Sequence, residues 1–181
     1  NQKPPLLFIK PFLKAERVGV MSNECIISID LGGTFLKSGV ITKEGEILEG
    51  SIVSAPANSD KSIEDIKKSF QYILKSQLSL INKSGYSLLG VGIDTPGPFD
   101  FKNSKSLMQH KFKAIYNIPL KPWVSEITGD IPVMFIHDSS AFIIGEIWSG
   151  ATKGFENIAG VMIGTGLGFA AVLGNTVLQN E

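Results

Sequence analysis

Two carboxylates and two glycine-rich turns carry the chemistry that this sequence can support. Asp30 lies near the end of the apolar run Ile26 to Leu31 and is followed by Gly32, Gly33 and Thr34, while Asp138 follows the run Ile131 to Ile136 and His137. A second turn, Gly164-Thr165-Gly166-Leu167-Gly168, comes directly after the run Asn157 to Ile163. Glycine turns of this kind leave backbone N–H groups free to grip phosphate oxygens, and Thr34 and Thr165 add hydroxyl donors. Phosphoryl transfer asks a protein for little more than positioned phosphates, charge neutralised by Mg2+, and a carboxylate to take the proton of the acceptor hydroxyl. Asp138 is the candidate base, and Asp30 the candidate holder of water in the metal's shell. Each feature also has a plainer explanation. Asp138 could cap the helix that follows it, Asp30 could form a turn, and both glycine stretches could be ordinary tight turns.

The residues after the first turn decide its class. Phe35, Lys37, Gly39 and Ile41 alternate with Leu36, Ser38 and Val40, without a cap or a helical period, so the turn joins strand to strand. A dinucleotide-binding fingerprint and a Walker loop would each open a helix here, and neither pattern is present.

The elements that must position these residues can be read in order. Cys25 to Asp30, Phe35 to Thr42 and Glu46 to Ser54 predict three strands, the last two joined by a hairpin at Lys43-Glu44-Gly45. Ile63, Ile66, Phe70, Ile73, Leu74, Leu78 and Ile81 recur at helical spacing between a cap residue, Ser62, and Gly85. Leu88 to Ile93 predicts a fourth strand, left at Asp94-Thr95-Pro96-Gly97-Pro98 because proline cannot join a central ladder. Phe99 to Tyr116 has no clean period and is long for a connector. A short helix over Leu120 to Thr128, a strand over Ile131 to Ile136 and an apolar helix over Ser139 to Gly150 follow. The strand Asn157 to Ile163 then leads through the second glycine turn to a hairpin partner, Phe169 to Leu173. This order describes an α/β lobe with a mixed sheet, antiparallel first and parallel afterwards. Ligands of such sheets gather beyond the carboxyl ends of parallel strands, which would align Asp30, Asp94 to Pro98 and Asp138 on one edge. Residues 1–20 read as a leader or tail ahead of a natural start at Met21, residues 21–153 as the lobe, and residues 154–181 as the beginning of a second lobe.

Composition fits a small neutral or modestly charged partner. The chain has 181 residues, 43% of them hydrophobic and 19% charged, enough for a well-buried core. Seventeen basic and 17 acidic residues cancel, so nothing in the totals points to nucleic acid or an anionic membrane. The single Cys25 and the two histidines, His110 and His137, form no zinc-ligand cluster, and one cysteine fits a reducing cytoplasm.

Four motifs, IDLGGTFLKSGVI, GVGIDTPGPFD, HDSSAFIIGE and NIAGVMIGTGLGFAAVLGN, occur in this order with compatible gaps. Together they resemble those of the ROK family, glucokinase-like bacterial sugar kinases on the actin-like ATPase (ribonuclease H-like) fold, from about Cys25 to Leu178. The resemblance implies ATP-dependent transfer of the γ-phosphoryl group to a hydroxyl of a hexose or N-acylhexosamine. It gives Asp138 the role of base. Asp30, Gly32, Gly33 and Thr34 become the first phosphate motif, and Gly164, Thr165, Gly166 and Gly168 the second. Gly97 and Pro98 of the Pro96-Gly97-Pro98 loop lie against the sugar, with His137 and Asp138 beside them. ATP and Mg2+ are implied, as are a homodimer in the complete protein and a structural zinc whose cysteine-rich motif has no counterpart in these residues. The 181 residues hold about half of such a kinase and are expected to be inactive alone.

Three departures stand out. His137 replaces a usual asparagine that contacts sugar hydroxyls, Phe35 a frequent basic or polar residue, and Phe169 a glycine. Two alternatives come with the resemblance. One is a ROK transcriptional regulator, which would carry a winged helix-turn-helix before the first strand, where only 24 residues precede Cys25. The other is a non-catalytic sugar-binding relative, which would not require Asp138 and both glycine turns.

Overall fold

The computed structural model describes residues 23–163, 166–174 and 176–178. The leader, Gly164 and Thr165 lie outside them. Strands β1 (Glu24–Leu31), β2 (Phe35–Thr42) and β3 (Val53–Pro56) are followed by helix α1 (Ile63–Lys83) and strand β4 (Ser87–Thr95). A two-residue hairpin, β5 (Phe99–Asp100) with β6 (Lys105–Ser106), precedes helix α2 (Lys121–Thr128), strand β7 (Val133–His137) and helix α3 (Asp138–Ser149). Strands β8 (Ile158–Ile163), β9 (Leu167–Leu173) and β10 (Thr176–Leu178) close the order.

The main sheet runs β3-β2-β1-β4-β7. Its first three strands are antiparallel, and β1, β4 and β7 are parallel, as the element order predicts. Along β1 the residues Cys25, Ile27, Ile29 and Leu31 are buried, alternating with partly exposed ones, because successive side chains of a strand point to opposite faces. The buried set meets the apolar stripe of α1, in which Ile66, Phe70, Ile73, Leu74 and Ile81 are also buried. Each such side chain contributes about 1.5–3 kcal/mol by leaving water. The helix starts where Ser62 Oγ accepts the N–H of Asp65 at 3.2 Å, the capping expected of that residue.

The third strand differs from its prediction. It runs from Val53 to Pro56, not from Glu46 to Ser54, and only the bridge Ile41 to Ile47 pairs the earlier segment. A side chain takes over the ladder: buried Ser51 accepts the N–H of Val40 on Oγ at 3.0 Å, and Gln77 Nε2 donates to Ser51 O at 2.6 Å. The fourth strand is also longer than predicted. It continues through Asp94 and Thr95, which pair with β1 and β7 before the prolines turn the chain away. The long connection that follows contributes buried Met108, Phe112 and Ile115 to the core.

Strands β8, β9 and β10 form a separate sheet, one face of which packs on α3 through Ile143, Ala170 and Val172. Its other face is open, with Val161, Ile163, Leu167, Phe169 and Leu173 all exposed. Among the described residues, no helix is long and apolar enough to cross a membrane.

Candidate functional site

The carboxyl ends of β1, β4 and β7 form one edge. In register, Asp30 stands beside Asp94, and Thr95 beside His137. Since Ile29 and Leu31 face α1, Asp30 occupies the opposite face of the sheet. The Asp30 and Asp94 carboxyl groups share a hydrogen bond. Burial, reinforced by the charges of Asp30 and Asp138, pushes Asp94 up to about 8, so at neutral pH Asp94 is the protonated partner and donates to Asp30. Burial also raises Asp30, with Lys37 opposing it. Sequence reasoning put Asp94 on this edge without a role. The available signal was its place at the end of a strand parallel to β1.

The first glycine turn is held from behind. Ala57 N–H donates to Thr34 O at 2.8 Å and Ser59 Oγ donates to Gly33 O at 2.6 Å. Among the described residues, no turn or loop hydrogen bond takes the N–H groups of Gly32, Gly33 or Thr34, which leaves the donor side of the turn free. The two glycines serve different ends. A methyl on Gly32 would lie 2.7 Å from Phe35 O, so the turn itself forbids a side chain there. A methyl on Gly33 would meet only the side chain of Lys111, at 3.4 Å from Cδ and 3.6 Å from Nζ.

Asp138 is the first residue of α3, and the cap position before it belongs to His137. Asp138 Oδ1 accepts the N–H of Ser139 at 2.6 Å and lies 2.8 Å from His137 Nδ1. His137 Nδ1 also lies 2.9 Å from Ser139 Oγ and 3.4 Å from Ser139 N, so it can accept from Ser139 as a cap or, protonated, donate to Asp138, according to its tautomer. The second oxygen, Oδ2, takes no part in these contacts. His137 is wedged in turn by the loop after β4, where a methyl on Gly97 would lie 3.0 Å from Nε2. Gly97, His137 and Asp138 therefore meet, and Pro98 is exposed next to them, joined to Gly97 by a cis peptide bond.

Of the second turn, Gly166 and Gly168 are described. A methyl on Gly168 would lie 3.3 Å from Met162 Cβ and 3.5 Å from Ser139 Cβ, so this glycine lets β9 approach the start of α3. Gly166 has open space around it. A cavity of about 260 Å3 opens beside His137, walled by Phe101, Ser139, Ser140, Phe169 and Ala170. Among the described residues, no group of three or more histidine, cysteine or acidic side chains could hold a metal ion. Asp30 still offers a carboxylate next to the phosphate-type turn, with Asp94 beside it in register, and Mg2+ commonly binds one or two carboxylates together with substrate phosphates. Asp30 fits that ion.

The ROK family model matches residues 26–180. The chain belongs to the ROK family. Its ROK relatives include a glucokinase of Thermotoga maritima, 31% identical over 147 residues that span 81% of this chain and 44% of that protein. Another is a β-glucoside kinase of Klebsiella pneumoniae, 30% identical over 145 residues, 80% of this chain and 45% of that one. Among solved structures, a ROK family glucokinase from Streptomyces griseus in complex with glucose and AMPPNP superposes with a TM-score of 0.71 at 27% identity. That superposition covers 87% of this chain and 47% of the other. The fold is the actin-like ATPase architecture of ROK sugar kinases, and the chain spans about half the length of the relatives it matches.

Proposed function

We propose that the protein is an ATP-dependent sugar kinase that phosphorylates a hydroxyl of a hexose or N-acylhexosamine, with Asp138 as general base. The observation that carries this reading is Asp138 itself: Oδ1 accepts Ser139 N–H and lies beside His137 Nδ1, and among the described residues Oδ2 has no hydrogen-bond or ion-pair partner. The sugar hydroxyl gives its proton to Oδ2 as its oxygen bonds to the γ-phosphorus. The bond from that phosphorus to the β,γ-bridging oxygen breaks, and ADP leaves with the electron pair. The N–H groups of Gly32, Gly33 and Thr34 hold phosphate oxygens, and Gly164, Thr165, Gly166 and Gly168 serve as the second phosphate motif. Gly97, Pro98 and His137 line the sugar. Mg2+, held by Asp30 through water, would neutralise charge on the phosphates. Residues 154–181 would begin the second, nucleotide-side lobe. The relatives named above support the substrate class.

The test is Asp138→Asn in the complete protein. General-base catalysis predicts a fall in kcat of about 100-fold or more with sugar affinity little changed. Near-full turnover by the variant would overturn the assignment.

A further inference from the structure

We propose that Lys111 binds the terminal phosphate of the nucleotide, laid across the first glycine turn from a loop outside every glycine motif; this rests on the kinase reading. The side chain of Lys111 runs along Gly33, where a methyl would lie 3.6 Å from Nζ. Lys111 is half-buried, whereas its neighbours His110 and Lys113 are exposed. Among the described residues no carboxylate lies within 4.0 Å of its Nζ, so its charge is uncommitted beside a row of free N–H donors.

The backbone behind Lys111 is fixed. Phe112 is fully buried and holds a φ of 55°, the left-handed region that a bulky residue keeps only where surrounding structure imposes it. Its N–H donates to Ser59 O at 2.8 Å, and Ser59 Oγ donates to Gly33 O at 2.6 Å. One serine thus holds both the glycine turn and the residue next to the lysine, which sets their spacing. A lysine ammonium is a compact charge with three donors, suited to phosphate oxygens. The carboxylates of this edge, Asp30 and Asp138, repel a polyphosphate, so a cation above the turn supplies attraction that the turn's dipoles alone do not.

The test is calorimetric titration of the complete protein and of its Lys111→Gln and Lys111→Arg variants with AMPPNP, ADP and inorganic tripolyphosphate. Loss of a charge-assisted hydrogen bond should weaken AMPPNP and tripolyphosphate binding by Lys111→Gln about tenfold or more. ADP binding should change much less, Lys111→Arg should recover most of the loss, and the melting temperature should hold. Unchanged AMPPNP binding by Lys111→Gln, or equal losses for AMPPNP and ADP, would overturn the contact while leaving the kinase reading intact. Failure of the unaltered protein to bind either AMPPNP or tripolyphosphate would overturn both together.

Discussion

Asp30 and Asp94 stand side by side on adjacent parallel strands, placed for a side-chain hydrogen bond when Asp94 carries its proton. The consequence is a pH dependence of stability. With Asp94 raised from 3.8 to about 8, the folded state keeps a proton that the unfolded chain has released across that window. Stability therefore falls as pH rises from about 4 towards 8, since the folded state binds more protons there. In metal-free buffer, Asp94→Asn keeps a donor for Asp30 and removes the titration. Its melting temperature should exceed that of the unaltered protein by a few degrees at about pH 9, at roughly 2–4 °C per kcal/mol for a chain of this size. The difference should shrink towards about pH 5. A melting temperature of the unaltered protein that climbs steadily between these limits would contradict the proton on Asp94.

His137 positions Asp138. Its Nδ1 lies 2.8 Å from Asp138 Oδ1, and with the proton on that nitrogen the contact is a charge-assisted hydrogen bond worth about 1.5–3 kcal/mol. His137→Ala should lower kcat about tenfold or more in consequence. On an Asp138→Asn background the same change should cost little further, because residues that act as a unit are not additive. Full additivity in this double-mutant cycle would show that His137 acts only through the fold or the sugar.

The open face of the β8-β9-β10 sheet should drive self-association of the 181-residue chain. Ile163 is 87% exposed, Leu167 77% and Phe169 65%, an apolar row of the kind that marks an interaction surface. Light scattering should report a mass that rises with concentration, and Phe169→Lys should reduce it. A monodisperse monomer at high concentration would remove this expectation.

How legible all this was depends on whether the governing contact is local. The stripe of α1 and the parallel ends of β1, β4 and β7 follow from period and order alone, and both stand as expected. The third strand does not. Ile47 and Ile52 suggest a strand by type, yet they are 62% and 70% exposed, because Ser51 and Gln77 supply the bonds a ladder would have made. The pairing of Asp94 with Asp30 is a matter of register, and the place of Lys111 over Gly33 depends on Ser59, 26 residues from the turn. No window of sequence holds either relation. Asp138 was legible as a strand-end carboxylate, but its cap role passed to His137 because the helix begins one residue earlier than its pattern implied.

Gly32 and Gly33 should separate fold from ligand. The backbone forbids a side chain at Gly32, with Phe35 O only 2.7 Å from a methyl placed there, whereas at Gly33 the one neighbour is the flexible end of Lys111. Neither glycine has a positive φ, so crowding is the difference between them. Gly32→Val should cost about 1–3 kcal/mol by overpacking and lower the melting temperature with all activities falling together. Gly33→Val should fold nearly normally, yet its side chain would block backbone approach by phosphate and displace Lys111. Its KM for ATP should rise about tenfold or more while its KM for the sugar stays within about threefold. Gly166→Val, also in open space, should follow Gly33→Val. Matching losses for ATP and sugar at Gly33, with a lowered melting temperature, would assign that glycine to the fold and remove the first turn from the phosphate site.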